Sequence, residues 1–287
     1  MTRCSIIIPA HNEETVIGRC LDAILKDAPR NGVEIIVSCN GCRDRTAEIA
    51  REYGDPVRVV ETNTASKATA LNLGDKAASA FPRLYVDADV VMDWRSIEAV
   101  VVELNKPGVL AAAPTAETDL TGVSWPVRAF YRVWTRTDYF RSGMIGCGVY
   151  GLSEEGRRRF DEFPPVIADD GFVRSRFVGD ERRSVTDARV VVYAPRTLSD
   201  LIRGKTRSRL GRYELASHFS SQVQSEQAEK RYLRSVVGLI RDPRSWISLP
   251  WYLGVNLVVR YRARRQYGRL GCYNWERDES SRQVVAS

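Results

Sequence analysis

The chain has 287 residues, 44% of them hydrophobic and 28% charged, with a net charge of +7. That length and composition suit one large α/β domain, or one with a helical extension, and exclude a disordered or collagenous chain. From Leu201 onward there are 17 Lys and Arg against 7 Asp and Glu, a balance of +10, whereas residues 1–200 hold 26 against 29, a balance of −3. A basic tail is compatible with phosphate-bearing ligands, nucleic acid or an anionic membrane surface. The N-terminus enters the apolar run Ile6 to Ile8 without the succession of a leader, and the six cysteines lack the density of a secreted framework. Cytoplasmic residence with reduced thiols is therefore expected.

Cys4 to Pro9 predicts a buried strand, followed by the polar turn His11-Asn12-Glu13-Glu14 and a helix with Ile17, Cys20, Leu21, Ile24 and Leu25 on one face. Val33 to Ser38 predicts a second strand, and Asn40-Gly41-Cys42-Arg43-Asp44 leads to a helix carrying Ala47, Ile49 and Ala50. Val57 to Val60 is a third strand, Lys67 to Ala80 a helix, Leu84 to Val86 a fourth strand and Val109 to Ala113 a fifth. Strands separated by helical stretches imply βαβ units and a mainly parallel sheet. The polar strand ends, His11 to Glu14, Asn40 to Asp44, Thr62 to Lys67 and Asp87 to Asp89, should then gather on one edge, where such sheets bind ligands. The fourth is the sharpest: an apolar strand breaks into Asp87-Ala88-Asp89, a carboxylate pair able to meet a hard cation or a phosphorylated ligand. No Gly-x-Gly-x-x-Gly or Gly-Lys-Ser/Thr loop follows the first strand, which speaks against a dehydrogenase or a P-loop ATPase.

Four blocks carry a resemblance: Ile6-Ile7-Ile8-Pro9-Ala10-His11-Asn12-Glu13-Glu14, Ile35-Ile36-Val37-Ser38-Cys39-Asn40-Gly41-Cys42-Arg43-Asp44-Arg45-Thr46, Ser66-Lys67-Ala68-Thr69-Ala70-Leu71-Asn72-Leu73-Gly74, and Asp87-Ala88-Asp89. In this order, each at a strand end, they resemble the family 2 glycosyltransferases of GT-A fold, over residues 3 to about 195. The resemblance implies a Rossmann-like, mainly parallel sheet flanked by helices. It divides residues 1–195 into a nucleotide-binding half (1–114) and an acceptor-binding half (115–195), with 196–287 as a basic helical extension. It also implies a nucleoside-diphosphate sugar as donor, a UDP-sugar by preference, and Mn²⁺ or Mg²⁺. Pro9 and Glu13 would contact the nucleoside with His11 beside them, Lys67 would lie near the nucleotide, and Asp87, with Ala88, would face the ribose and base. Asp89 would bind the cation. Where many members carry Asp-Asp-Gly-Ser after the second strand, this chain has Ser38-Cys39-Asn40-Gly41-Cys42; the Asn40 amide can pair with a uracil edge, and with other bases too.

Beyond a helix expected over Trp125 to Phe140, the segment Ser142 to Ser153 is rich in glycine, which allows close backbone approach or a sharp bend. The resemblance sets it under acceptor and donor sugar. Pro164 to Phe172 holds Asp169-Asp170, similar to the family's acidic pair at a helix start, which assigns Asp170 as catalytic base; two first-turn acids stabilised by a helix dipole are the alternative. An attacking hydroxyl must lose its proton, so Asp170 on one side of the reacting carbon and Asp89 with its cation on the other have separate tasks, and the displacement inverts the anomeric centre. Leu198 to Ser217 predicts a basic helix on which Arg207 and Arg209 are diphosphate candidates; the Gln-x-x-Arg-Trp signature of processive synthases is missing, so a single addition is expected. His218 is a candidate second metal ligand, with a plain surface residue as the alternative.

Cys39-Asn40-Gly41-Cys42 has redox or half-zinc spacing, but no second such pair accompanies it, and the nucleotide-loop assignment accounts for the same residues. Trp246 to Val259 is apolar, too short to span a bilayer and flanked by arginines, so residues 244–265 suit either a membrane interface or packing on protein. Asp278 to Ser287 is expected to be loose. The partners expected are a nucleotide sugar and a small-molecule or lipid-linked hydroxyl acceptor, without nucleic acid. The rival readings are a nucleotidyltransferase, which needs a Gly-rich basic loop absent after the first strand, and a non-catalytic membrane- or RNA-binding scaffold.

Overall fold

The computed structural model describes residues 4–29, 31–137, 140, 147–219 and 246–268. In chain order the elements are β1 (Cys4–Ala10), α1 (Ile17–Leu25), β2 (Val33–Asn40), α2 (Thr46–Glu52), β3 (Val57–Thr62), α3 (Lys67–Ala77), β4 (Arg83–Val86), α4 (Trp94–Leu104), β5 (Ala111–Asp119), α5 (Trp125–Trp134), β6 (Val149–Leu152), α6 (Glu154–Arg157), α7 (Asp169–Ser175), β7 (Arg182–Tyr193), α8 (Leu198–His218) and α9 (Leu249–Tyr267). They form two compact units: Met1–Thr118, Gly146–Pro165 and Arg176–Val192 make the first, and Asp119–Ile145, Val166–Ser175 and Tyr193–Ser287 the second.

The first unit is built on a seven-stranded sheet in the order β3-β2-β1-β4-β6-β5-β7. β1 runs parallel to both β2 and β4, and β2 parallel to β3, so the carboxyl ends of these four strands share one edge as expected. Every residue of β1 is buried, which is why the strand reads as a continuous apolar run rather than an alternation. β6 lies antiparallel between β4 and β5. Part of the glycine-rich segment is thus a strand, Val149–Leu152, and residues 142–146 fall outside the described part. β7 was not anticipated; its alternating burial and its Arg182-Arg183 start give only a weak apolar signal.

Two polar clasps fix α3. Buried Asp75 accepts from Tyr85 Oη at 2.5 Å and pairs with Arg83 at 2.8 Å and Arg157 at 2.9 Å, joining α3, β4 and α6. Asn72 donates to the Phe163 carbonyl at 3.0 Å and accepts from the Phe163 N–H at 2.8 Å.

In the second unit, α5, α8 and α9 contribute to a core of Val127, Phe130, Val133, Leu201, Tyr252, Val255 and Val259. α5 ends at Trp134, short of the expected Phe140, and just beyond it the hydroxyls of Thr135 and Thr137 donate to the carbonyls of Tyr131 and Trp134. α8 begins at Thr197, whose hydroxyl accepts from the Asp200 N–H, and α9 carries Pro250 in its first turn, where no N–H is required.

Candidate active site

The turn after β1 and the loop after β2 are laced together by the side chains that the sequence singles out. Asn40, 3% exposed, donates from Nδ2 to the Ala10 carbonyl at 2.8 Å, so its amide ties the ends of β2 and β1. The His11 ring meets the Asn40 carbonyl through Nδ1 at 2.5 Å; a carbonyl only accepts, so Nδ1 carries the proton and Nε2 is left to accept from Asn12, 3.4 Å away. Asn12 takes positive φ at 51°, its Oδ1 accepts from Arg43 N–H at 2.7 Å, and buried Glu13 is held by its N–H donating to Thr46 Oγ1 at 2.7 Å. Asp44 braces the loop: burial pushes its carboxyl up, but hydrogen bonds from Thr46 and from the Glu14 N–H outweigh it and hold the pKa below the usual value. Pro9 lies buried within β1, opposite Ser38.

At the end of β4, Asp87 and Lys67, the first residue of α3, form an ion pair of 2.7 Å with both side chains partly exposed. Gly148 closes the back of this pair. Its carbonyl accepts from the Asp87 N–H at 2.7 Å, its φ is +69°, and a Cβ here would come within 2.8 Å of Val90 and 3.2 Å of Asp87 Oδ2, so only glycine fits. Ala88 is buried, and Asp87 and Asp89, which flank it in the chain, are each half-buried. The buried Cys20 thiol on α1 registers the field of this edge. Burial first, then Asp89, and further Asp87 and Glu13, push its pKa up to about 12, while Arg19 acts in the opposite sense. Glu13, Asp87, Asp89 and Arg19 are thus all within electrostatic reach of the Cys20 thiol.

Among the described residues, no three of His, Cys, Asp and Glu are grouped to hold a metal ion. With Lys67 offsetting Asp87, the chemistry of the edge fits a hard cation held by the single Asp89 carboxylate and completed by phosphate oxygens and water.

The remaining predicted residues belong to the second unit. Asp169 is buried and Asp170 half-exposed at the start of α7, and Asp170 Oδ1 accepts from the Gly171 N–H at 2.7 Å. The preceding loop is anchored on α8, where Glu214 accepts from the Ile167 N–H at 2.7 Å. Arg207 and Arg209 are partly exposed on α8; burial and then Arg212 lower the Arg209 pKa. His218 is exposed at the end of that helix.

Three features escaped the sequence reading. Arg19 precedes the buried Cys20 on α1, and only the field at that thiol reveals it. Gly148 stood in a run of glycines with nothing to distinguish it. Lys205, on α8, has Nζ 3.4 Å from the Trp134 ring centre, with Tyr131 and Phe130 at 5.4 and 5.6 Å. Burial and the charge of Arg212 lower its pKa to about 7, against the attraction of the ring faces.

Residues 5–153 match the profile of glycosyl transferase family 2. A mannosyltransferase from Pyrobaculum calidifontis, solved with GDP-Man and Mn²⁺, superposes with a TM-score of 0.61 at 22% identity, covering 95% of this chain and 81% of that one. Glucosyl-3-phosphoglycerate synthase from Mycobacterium tuberculosis, solved with Mn²⁺, UDP and phosphoglyceric acid, gives 0.53 at 21%, covering 75% and 78%. The 4,4'-diaponeurosporenoate glycosyltransferase of Staphylococcus aureus is 29% identical over 170 residues, which are 56% of this chain and 42% of that protein; the chain thus matches less than half the length of this relative. The likeness to the solved structures establishes the GT-A fold.

Proposed function

The chain belongs to glycosyl transferase family 2, and on that premise we propose that it moves one sugar per turnover from a nucleoside-diphosphate sugar to an acceptor hydroxyl, inverting the anomeric centre with the help of a divalent cation. The observation that carries this reading is the Lys67–Asp87 ion pair beside Asp89 at the carboxyl edge of β4. An open α/β sheet binds nucleotides at that edge, and one cation, one Lys and two carboxylates are the chemistry that a pyrophosphate and a ribose require. In this reading Pro9, His11, Glu13 and Asn40 form the nucleoside wall, the His11 ring being held there by the Asn40 carbonyl at Nδ1. Asp87 and Ala88 flank the ribose, and Lys67 holds Asp87 while adding positive charge. Asp89 carries Mn²⁺ or Mg²⁺, which when bound neutralises the leaving diphosphate.

Asp170 serves as the base that takes the proton of the attacking hydroxyl. Of the two acids that open α7 it is the more exposed, and its Oδ1 is oriented by the Gly171 N–H. Arg207 and Arg209 add positive charge toward the diphosphate. A UDP-sugar is the first donor to test: UDP and GDP-Man occur in the solved relatives, and the acceptors there include phosphoglyceric acid. A panel of sugar nucleotides assayed for released nucleoside diphosphate tests the proposal. Release from none, together with pyrophosphate release from a nucleoside triphosphate, would replace it with a nucleotidyltransferase.

Part of the same proposal is that the acceptor is met at the inner surface of an anionic membrane through α9. No described helix is long and apolar enough to cross a membrane. α9 buries Tyr252, Val255, Val259 and Ala263, and turns outward Trp251, Leu253, Leu257 and Val258, then Arg260, Arg264 and Arg265. Trp246 and Ile247, 62% and 71% exposed, extend the apolar face, and Trp246 to Gly268 contains no acidic residue. Apolar aromatic surface followed by arginines suits an anionic lipid interface. The Leu257→Glu, Val258→Glu double variant should stop sedimenting with vesicles containing anionic lipid; unchanged sedimentation would remove α9 from this role.

A further inference from the structure

The nucleotide loop carries a second chemistry that sugar transfer does not use. Cys39 and Cys42 are both free thiols, separated by two residues at the end of β2. Cys39 is 1% exposed and paired in the sheet with Ala10. Cys42 is half-exposed; its thiol donates to that same Ala10 carbonyl at 3.4 Å and its sulfur accepts from the Asn12 N–H at 3.5 Å. The chain reverses between the two cysteines at Gly41, where φ is +58° and a Cβ would come within 2.9 Å of Ala65. Both cysteines are thereby brought to Ala10 of β1, Cys39 as its strand partner and Cys42 through its sulfur. One sulfur is reachable from solvent, the other is inside, and the N–H aimed at the reachable one favours its anion.

We propose that Cys39 and Cys42 form a reversible dithiol–disulfide site that reacts with small disulfides and, when closed, withdraws Cys42 from the His11–Glu13 turn. In the first step the Cys42 thiolate attacks one sulfur of RS–SR, forming Cys42–S–SR and expelling RS⁻. Cys39 then loses its proton to that thiolate, and its sulfur attacks the Cys42 sulfur, forming the Cys39–Cys42 bond and expelling a second RS⁻. The two protein thiols are oxidised by two electrons in total and the reagent is reduced to two thiols, the second RS⁻ taking up the proton that Cys42 gave to solvent on forming its thiolate. The asymmetry of the pair supports this order. The neighbouring Cys39, and then the Asn12 N–H, outweigh burial and hold the Cys42 thiol below its usual pKa, whereas the Cys39 thiol is pushed up.

Closure must cost the Asn12 N–H its sulfur acceptor, because the sulfur that accepts it turns toward Cys39 instead. Asn12 is held at positive φ between His11 and Glu13, so the consequence falls on the nucleoside wall; this part rests on the function proposed above. The test exposes the full-length chain to glutathione disulfide and follows the peptide between Arg30 and Arg43 by mass. Loss of two hydrogens from that peptide, reversed by dithiothreitol, is expected. So is a glutathione adduct trapped on Cys42 in Cys39→Ser, with no adduct on this peptide in Cys42→Ser. An adduct that never resolves in the unaltered chain, or a peptide still reduced while other cysteines have reacted, overturns the site. The turn is read separately by hydrogen exchange at the Asn12 amide, which should quicken by about tenfold on closure, the worth of roughly one hydrogen bond; unchanged exchange overturns the coupling. If the reduced protein binds no nucleoside diphosphate, the proposed function fails while these two readouts still judge the disulfide.

Discussion

Lys67 Nζ stands 2.7 Å from Asp87 Oδ1, joining the first turn of α3 to the end of β4 across the parallel edge of the sheet. Without the ammonium, Asp87 and Asp89 face a diphosphate as two carboxylates with less to offset them. Lys67→Met should weaken nucleoside diphosphate binding by about tenfold, in the range of one charge-assisted contact. Lys67→Arg should recover part of that affinity, since the charge returns in a different geometry. Calorimetric titration checks both, and full affinity in the Met variant would take Lys67 out of the site.

Asp170→Asn keeps the shape of the start of α7 and removes its basicity. Turnover should fall by roughly 10²- to 10⁴-fold, the usual contribution of a general base, while donor affinity stays within about twofold because the change touches only proton removal. Steady-state kinetics beside direct titration separates the two; retained turnover would assign the proton to another group.

Asp75 holds Arg83, Arg157 and the Tyr85 hydroxyl in the interior of the first unit. Asp75→Ala leaves two buried guanidinium groups without their carboxylate, a change that costs about 3–5 kcal/mol. Urea unfolding should show a loss of that size. A loss near zero would mean that the arginines find other partners.

Lys205 carries a pH signature. Its folded pKa, lowered to about 7 by burial and Arg212, lies below the ordinary lysine value of 10.5, so between these two values the unfolded chain binds the extra proton and stability rises with pH. Below about 7 the folded state bears the full cost of the buried charge, and above the unfolded pKa the cost is gone. Thermal unfolding across this window should show the rise in the unaltered protein and a flatter profile in Lys205→Met; parallel profiles would contradict it.

Much of the fold was legible because β1, β2 and β4 are buried on both faces and the strands are separated by helices with apolar stripes. The parallel edge follows from that order alone, and the polar blocks fall where it predicts. β6 was hidden because its four residues follow a glycine run, and β7 because one side of it faces solvent, so neither shows an apolar block. Within the site, residue types pointed to the edge but not to partners. Asn40 has the chemistry to read a base, yet its amide donor is used on Ala10, a bond set by strand register that spacing does not reveal. Cys39 and Cys42 had a recognisable spacing, but their asymmetry depends on the Asn12 amide, thirty residues away in the chain.

The central claim is that Asp89 seats a divalent cation through which a nucleoside diphosphate is held. Its most direct test is calorimetric titration of UDP and of GDP into the unaltered chain and into Asp89→Ala, each with and without Mn²⁺. Binding of at least one nucleotide that strengthens by tenfold or more with Mn²⁺, roughly one differential metal contact, and loses that gain in Asp89→Ala, is the predicted result. Equal affinity with and without the metal, or a metal gain that survives in Asp89→Ala, would contradict the claim.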